Sequence, residues 1–160
     1  MRSGWLRLWR HGSIVWGLSW KERGLLLQAW WMLHGVALAL RWASFRRVYG
    51  FLGRRIGTTP PTVGDEIQLA DQAYALTRLV QGAAAWSLHH PTCLHRSLTL
   101  WWLLGRQGIA SELRIGVRKE QGRFEAHAWV EYQGMALNDG LDVGSRFAAF
   151  QSFDRLHGNL

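Results

Sequence analysis

The sequence predicts an α+β fold in which helices pack on one face of a small antiparallel sheet. Two stretches near the middle of the chain repeat apolar residues with the helical period, and two later stretches alternate apolar and polar residues as strands do. Helices first and strands after them favour an α+β over an alternating α/β architecture. With 160 residues, 48% of them hydrophobic, the chain suits one domain, or one domain with an appendage.

Residues 1–57 are predicted to form a tryptophan-rich, apolar helical segment ahead of the core. The run 24–40 repeats apolar residues at helical spacing, but it falls short of the ~20 apolar residues that a membrane span needs. Residues 1–20 are interrupted by glycines, which weaken a continuous helix, and they lack the cleavage site of a secretory signal. Because arginine and tryptophan together suit the membrane interface, we expect a partner or a peripheral membrane contact for this segment.

A linker at 58–64, rich in glycine, proline and threonine, separates this segment from a predicted core at 65–160. Apolar residues at helical spacing predict one helix over 65–86. Pro91 prevents the first helix from continuing, and a second helix is predicted over 93–107. It ends before Gly108, which suits a helix C-cap.

Alternation of apolar and polar residues predicts the sheet. It marks strands over 112–118 and 123–132, joined by a short hairpin connection, and a short third strand over 135–139. Within the second strand, Val130 shares a face with the other apolar residues, whereas His127 and Trp129 share the opposite face.

Charge and cysteine content narrow the function classes. The formal net charge of +8 is almost entirely arginine and would attract polyanions, headgroups or acidic peptides, or it reflects genome composition alone. No recognition motif for nucleic acid is present, so we expect no nucleic-acid partner. A single cysteine excludes an internal disulfide and a multi-cysteine metal site, which leaves an inert, a reactive or an intermolecularly linked thiol.

Cys93 lies where a loop passes into a helix, and this favours a reactive thiol. Unpaired backbone amides and the positive end of the helix dipole stabilise a thiolate there, and the thiolate is the nucleophilic form. His127, in the middle of a strand, is the best candidate for the base. Asp139, expected on the neighbouring strand, suits the third role of orienting the imidazole.

Two other arrangements remain open at this stage. Asp142, just past Gly140, could replace Asp139. His89, His90 and His95 surround Cys93, but their spacing matches no standard zinc pattern, so no metal and no cofactor are expected. One of these histidines could instead tune the thiol or face solvent.

The stretch 92–140 resembles the transglutaminase-like cysteine peptidases of lasso peptide maturation. The matching residues are Cys93, Leu94, Arg96 and Ser97, then 113–117 (LRIGV), 127–131 (HAWVE), Asn138 and Asp139. The apolar helix and the arginine-aromatic stretch at 24–55 also fit the stand-alone form of that family. The resemblance implies a transglutaminase-like or papain-like fold, with Cys93 as nucleophile, His127 as general base and acid, and Asp139 as the orienting group.

The resemblance also implies a substrate and partners. Such enzymes remove the leader of a ribosomally made precursor peptide, with a threonine close to the cut. A separate small leader-binding protein presents the leader, and an ATP-dependent cyclase closes the ring. We expect a cytoplasmic protein, with membrane association as a further option. Two alternatives are a transglutaminase-like scaffold that has lost catalysis and a basic membrane-associated adaptor; the presence of all three site residues argues against the first.

Overall fold

The computed structural model describes residues 19–56, 62, 64–87, 89–120 and 122–150. In this part of the chain, four long helices precede a hairpin, a short third strand, one helical turn and a short fourth strand. In order these are α1 (Trp20–Trp42), α2 (Phe45–Ile56), α3 (Glu66–Ala85), α4 (Cys93–Arg106), β1 (Glu112–Glu120), β2 (Arg123–Tyr132), β3 (Met135–Ala136), α5 (Val143–Arg146) and β4 (Ala148–Ala149). The α+β fold class predicted from the sequence is confirmed.

The two predicted core helices, α3 and α4, are confirmed to within one residue at each end. Asp65 is the N-cap of α3, and its carboxylate accepts a hydrogen bond from the backbone N–H of Ile67. Helix α4 ends at the C-cap Gln107, and Gly108 follows with a φ of 71°, a left-handed conformation that glycine adopts without strain.

The four strands form one antiparallel sheet in the order β3-β2-β1-β4. The hairpin β1–β2 pairs Glu112 with Glu131 at one end and Glu120 with Arg123 at the other. Strand β4 and the turn α5 were not predicted, because two strand residues and one helical turn are too short to show a period in the sequence. Strand β4 pairs with Gly116 and Val117 of β1.

The predicted third strand over 135–139 is too long: β3 ends at Ala136. Beyond it, the Leu137 N–H still donates to the carbonyl of Val130 at 2.9 Å. The N–H of Val130 donates a hydrogen bond to Oδ1 of the Asn138 side chain at 2.8 Å. A side chain thus replaces the next backbone rung, and the chain turns away from the sheet. Asp139 therefore lies in a bend after β3 rather than on a strand.

Two hydrophobic clusters hold the elements together. The larger one joins buried side chains of α1, α2, α3 and α4 with Leu113, Val130 and Tyr132 of the sheet. The smaller one packs Trp129 of β2 against Ala136, Val143 and Phe147. Val130 and Trp129 point to opposite sides of β2, as predicted, so the helices cover one face of the sheet and the chain after β3 covers part of the other.

The predicted N-terminal segment contains α1 and α2, whereas residues 1–18 and 57 lie outside the described residues. Helix α1 begins with a capping box formed by Ser19 and Glu22. Of the predicted linker, Thr62 bonds to the end of α4, its hydroxyl donating to the carbonyl of Gln107 at 2.6 Å. The division of the chain at 58–64 stays a prediction. No helix in the described parts of the chain is both long and apolar enough to cross a membrane.

Candidate active site

Cys93 is the first residue of α4, as the sequence predicted, and a capping box holds the start of this helix. The side chain of Thr92 accepts from the N–H of His95 at 3.5 Å, and the Thr92 N–H donates to Nδ1 of His95 at 3.1 Å. Cys93 directly follows Thr92 and so lies in this capped first turn, where it is half-buried. Nearby N–H groups of the first turn have no partner within a helix.

Cys93, His127 and Asp139 line one small cleft of about 100 Å³ between α3, α4 and the sheet. Seven further residues complete the wall: Thr77, Val80, Gln81, Arg96, Leu100, Ala128 and Asn138. The structure thus brings together the three residues that the sequence singled out. Cys93 and His127 face the same cavity, but among the described residues no hydrogen bond joins the thiol to the imidazole.

The imidazole of His127 is hydrogen-bonded through Nε2 to Oδ2 of Asp139. A carboxylate can only accept, so this bond places the proton on Nε2 and leaves Nδ1 as the unprotonated nitrogen of the neutral ring. Both side chains are about one-fifth exposed, at 22% each. The pair therefore combines an oriented imidazole with access from the cleft.

The carboxylate of Asp139 is held by two further donors. Its Oδ1 accepts from the N–H of Gly140 at 2.7 Å and from Nη2 of Arg146 at 2.8 Å. Burial by itself would raise the pKa of Asp139, but the hydrogen bonds from Gly140, His127 and Arg146 outweigh burial and lower that pKa below its ordinary value. Asp139 is therefore ionised at neutral pH and able to orient His127.

Two aromatic rings stack near the imidazole of His127. The ring of His127 stacks on that of Phe147 with centroids 5.0 Å apart, and Trp129 lies 6.2 Å away. Gly116 pairs with His127 across the hairpin, and a Cβ at this position would lie 2.9 Å from Phe147 and 3.0 Å from the ring of Trp129. The glycine is needed because a side chain would displace these two rings.

A buried hydrogen-bond network connects the elements that carry the three residues. The hydroxyl of Ser97 donates to the carbonyl of Ala128 at 2.9 Å and accepts from Nδ2 of Asn138 at 2.9 Å. Ser97 lies one helical turn after Cys93, Ala128 follows His127, and Asn138 precedes Asp139. Sequence reasoning did not assign a role to Ser97 or Asn138. Both belong to the motif that carries the family resemblance, which was the available signal.

The two alternative arrangements find different places. Asp142 pairs with Nε of Arg146 at 3.0 Å, and no bond joins it to His127 in the described residues. His95 caps α4, and burial, followed by the proximity of His89, lowers its pKa below the ordinary value. His90 is exposed. Within the described ranges, no group of three or more histidine, cysteine and acidic side chains is arranged to hold a metal ion.

A wider groove adjoins the cleft along α3. It has a volume of about 790 Å³ and shares Thr77 and Gln81 with the smaller cavity. Its other lining residues are largely polar: Asp71, Gln72, Tyr74, Ala75, Arg78 and Leu137. These two shared residues make the groove continuous with the cleft.

Comparison with known proteins gives one match. The sequence model described as the transglutaminase-like superfamily matches residues 36–152, which is well over half of the chain and includes the whole cleft. No curated protein and no solved structure matches the sequence.

Proposed function

The chain belongs to the transglutaminase-like superfamily, which includes cysteine peptidases, and on that basis we propose that it is itself a cysteine peptidase. Cys93 is the nucleophile, His127 the general base and acid, and Asp139 the orienting group. The observation that carries this proposal is a single cleft lined by a helix-start thiol and by an imidazole, of which Nε2 is bonded to a carboxylate.

In the proposed reaction, Nδ1 of His127 takes the proton of the Cys93 thiol as sulfur attacks the scissile carbonyl carbon. The tetrahedral intermediate collapses to a thioester, and the imidazolium returns the proton to the departing amine. His127 then takes a proton from water, whose oxygen attacks the thioester and releases the carboxylic acid and the thiol. The carboxylate of Asp139 stabilises the imidazolium in both steps.

The developing oxyanion needs hydrogen-bond donors in the cleft. We assign this role to the side-chain amide of Gln81 together with the N–H of Cys93. The hydroxyl of Thr77 donates to the carbonyl of Ala73, and Asn138 is already used, whereas Gln81 has no partner among the described residues. Gln81→Ala should lower kcat by about 10- to 100-fold with a smaller change in KM. Gln28→Ala is the matched control, because Gln28 is exposed on α1 and lines neither the cleft nor the groove.

The substrate we propose is the leader-bearing precursor of a lasso peptide. The resemblance of 92–140 to the leader peptidases of lasso peptide maturation supports this substrate. The open groove beside the cleft also suits an extended peptide segment. A separate leader-binding protein would present the precursor, and a cyclase would use the freed core peptide.

The test is incubation of the full chain with a lasso precursor peptide and a leader-binding protein, both sought in the reading frames that neighbour its gene, followed by mass spectrometry of the products. The unaltered chain should release the leader, and Cys93→Ala should slow release by at least about 1,000-fold. His90→Ala, which removes an exposed imidazole three residues away, should not. Equal rates for Cys93→Ala and the unaltered chain would overturn the peptidase proposal. Cleavage of unrelated peptides but not of the precursor would overturn the proposed substrate and leave the peptidase proposal standing.

A further inference from the structure

Helix α1 is apolar on two opposite sides, and one of them faces solvent. Its buried side, which includes Ala29, Leu33 and Val36, packs on α3 and α4. Five large apolar residues are nevertheless 58–85% exposed; we call them the α1 stripe, and they are Trp20, Leu27, Trp31, Leu38 and Trp42. An amphipathic surface helix would carry polar residues at these positions.

The α1 stripe is a continuous surface rather than five scattered residues. At 100° per residue, its members fall within about 60° of arc, and they lie about half a turn from the buried residues. From Trp20 to Trp42 the stripe extends over about 33 Å at the helical rise. No stripe residue lines the active-site cleft. An exposed apolar surface of this length indicates a contact outside the described fold.

A groove beside the stripe widens this apolar surface. It lies between α1 and α2, has a volume of about 420 Å³, and is lined from α1 by Gly35 and Ala39 and from α2 by Phe51. Phe51 is itself 58% exposed. The two helices together therefore present one broad apolar face.

Cations border this face on both sides. On the α1 wheel, Arg23 and Arg41 lie next to Leu27, on the side away from the groove. Arg47 and Arg55 line the far side of the groove. Across the whole sequence, residues 1–56 hold ten of the 19 lysines and arginines but a single acidic residue, Glu22. The remainder of the chain holds nine lysines and arginines against ten acidic residues, so the excess of positive charge resides in residues 1–56.

We propose that α1 and α2 form a peripheral binding surface for an anionic lipid bilayer, in which α1 lies along the interface with its stripe immersed. Tryptophan favours the boundary between headgroups and acyl chains, and flanking arginines attract anionic headgroups. A second copy of the chain fits this face less well. Two stripes packed against each other would bring the arginines of both copies together, whereas an anionic bilayer supplies the opposite charge.

The test uses the full chain and sedimentation with vesicles of phosphatidylcholine alone or mixed with phosphatidylglycerol, at about 0.15 M salt. Binding should be at least about tenfold stronger to the anionic vesicles and should weaken at high salt. The double variant Trp31→Glu/Leu38→Glu should lose about 100-fold or more in binding, because two large apolar side chains no longer enter the interface. Arg41→Gln/Arg47→Gln should reduce the preference for anionic lipid.

Phe124→Glu is the matched control, because Phe124 is 77% exposed on the β1–β2 hairpin, away from this face. It should bind vesicles as the unaltered chain does. Equal binding by the stripe variant, or no binding to anionic vesicles by the unaltered chain, would overturn the proposal. So would a dimer, or a complex with a protein, that the stripe variant abolishes while vesicle binding persists. Peptide cleavage by the stripe variant is a separate readout, since the lipid surface and the cleft share no residue.

Discussion

The side-chain amide of Asn138 donates a hydrogen bond of 2.9 Å to the hydroxyl of Ser97, across 41 positions of sequence. The same asparagine accepts the N–H of Val130, and the same serine donates to the carbonyl of Ala128. Helix α4, strand β2 and the bend after β3 are thereby fixed at one point. Each of these elements contributes one of the proposed catalytic side chains, so this network sets the distances between Cys93, His127 and Asp139.

Removing either member of the network should reduce both stability and turnover. Ser97→Ala leaves the buried carbonyl of Ala128 unpaired, and Asn138→Ala leaves the N–H of Val130 unpaired. Each should lower the free energy of unfolding by about 1–3 kcal/mol, measured by denaturant titration. A positioning role further requires that kcat fall more than KM rises. Ser111→Ala is the control, because that buried hydroxyl has no partner within the described residues.

If the two residues act as one unit, the double variant should cost less than the sum of the single variants, with an interaction energy above about 0.5 kcal/mol. Additive effects would show that they contribute independently and would contradict this role for the pair.

Replacing Asp139 should impair turnover far more than replacing its neighbour Asp142. An asparagine at 139 can donate its amide N–H to Nε2 of His127, and this favours the tautomer with the proton on Nδ1, which cannot act as the base. The substitution also removes the carboxylate charge that stabilises the imidazolium. In a serine protease triad the equivalent change costs about 10,000-fold in kcat, so we expect a loss of about 100- to 10,000-fold for Asp139→Asn. Asp142→Asn should stay within about threefold in the peptide cleavage assay. The reverse ranking would transfer the orienting role to Asp142.

His95 should make the start of α4 sensitive to acid. Burial lowers its pKa, so the unfolded chain takes up a proton more readily than the folded one. The stability from this group is therefore complete above the ordinary histidine pKa of about 6.5 and is lost as the pH falls from there toward the folded pKa. Protonated Nδ1 also cannot accept from Thr92.

His95→Gln keeps an acceptor at the capping-box position without titrating in this range. It should flatten the loss of unfolding free energy between pH 7 and 5 when followed by urea titration. His90→Gln should retain the pH dependence of the unaltered chain. Parallel pH profiles for all three proteins would exclude His95 as the source.

Gly116→Ala should destabilise the sheet beside His127. The added methyl would lie 2.9 Å from Cβ of Phe147, closer than real contacts show, and 3.0 Å from the ring of Trp129, so both residues beside the imidazole must shift. We expect a loss of about 1–3 kcal/mol in unfolding free energy and reduced turnover. Gly24→Ala in α1 has open space around it and should instead stabilise by about 0.5–1 kcal/mol. Equal effects of the two substitutions would show that contact at Gly116 is not the cause.

Prediction from sequence succeeded where the signal was local. The caps of α3 and α4 and the alternation in β1 and β2 depend on neighbouring residues, and these elements lie where expected, except that β1 runs two residues further, to Glu120. The third strand was predicted too long because its end depends on Asn138 bonding to a residue eight positions earlier. Strand β4 and the turn α5 were missed because both are too short to show a period in the sequence. Pairing with β1, rather than a pattern of its own, stabilises β4.

By itself, the sequence determined the α+β order, the position of Cys93 at a helix start and the identity of two candidate partners, His127 and Asp139. The tertiary structure decided which groups meet: that Asp139 rather than Asp142 bonds to His127, that Nε2 makes this bond, and that Ser97 and Asn138 connect the three elements. The physical reason is that caps and periods are set by adjacent residues. Contacts between distant segments depend instead on how the chain turns after β3 and on what packs against the far face of the sheet.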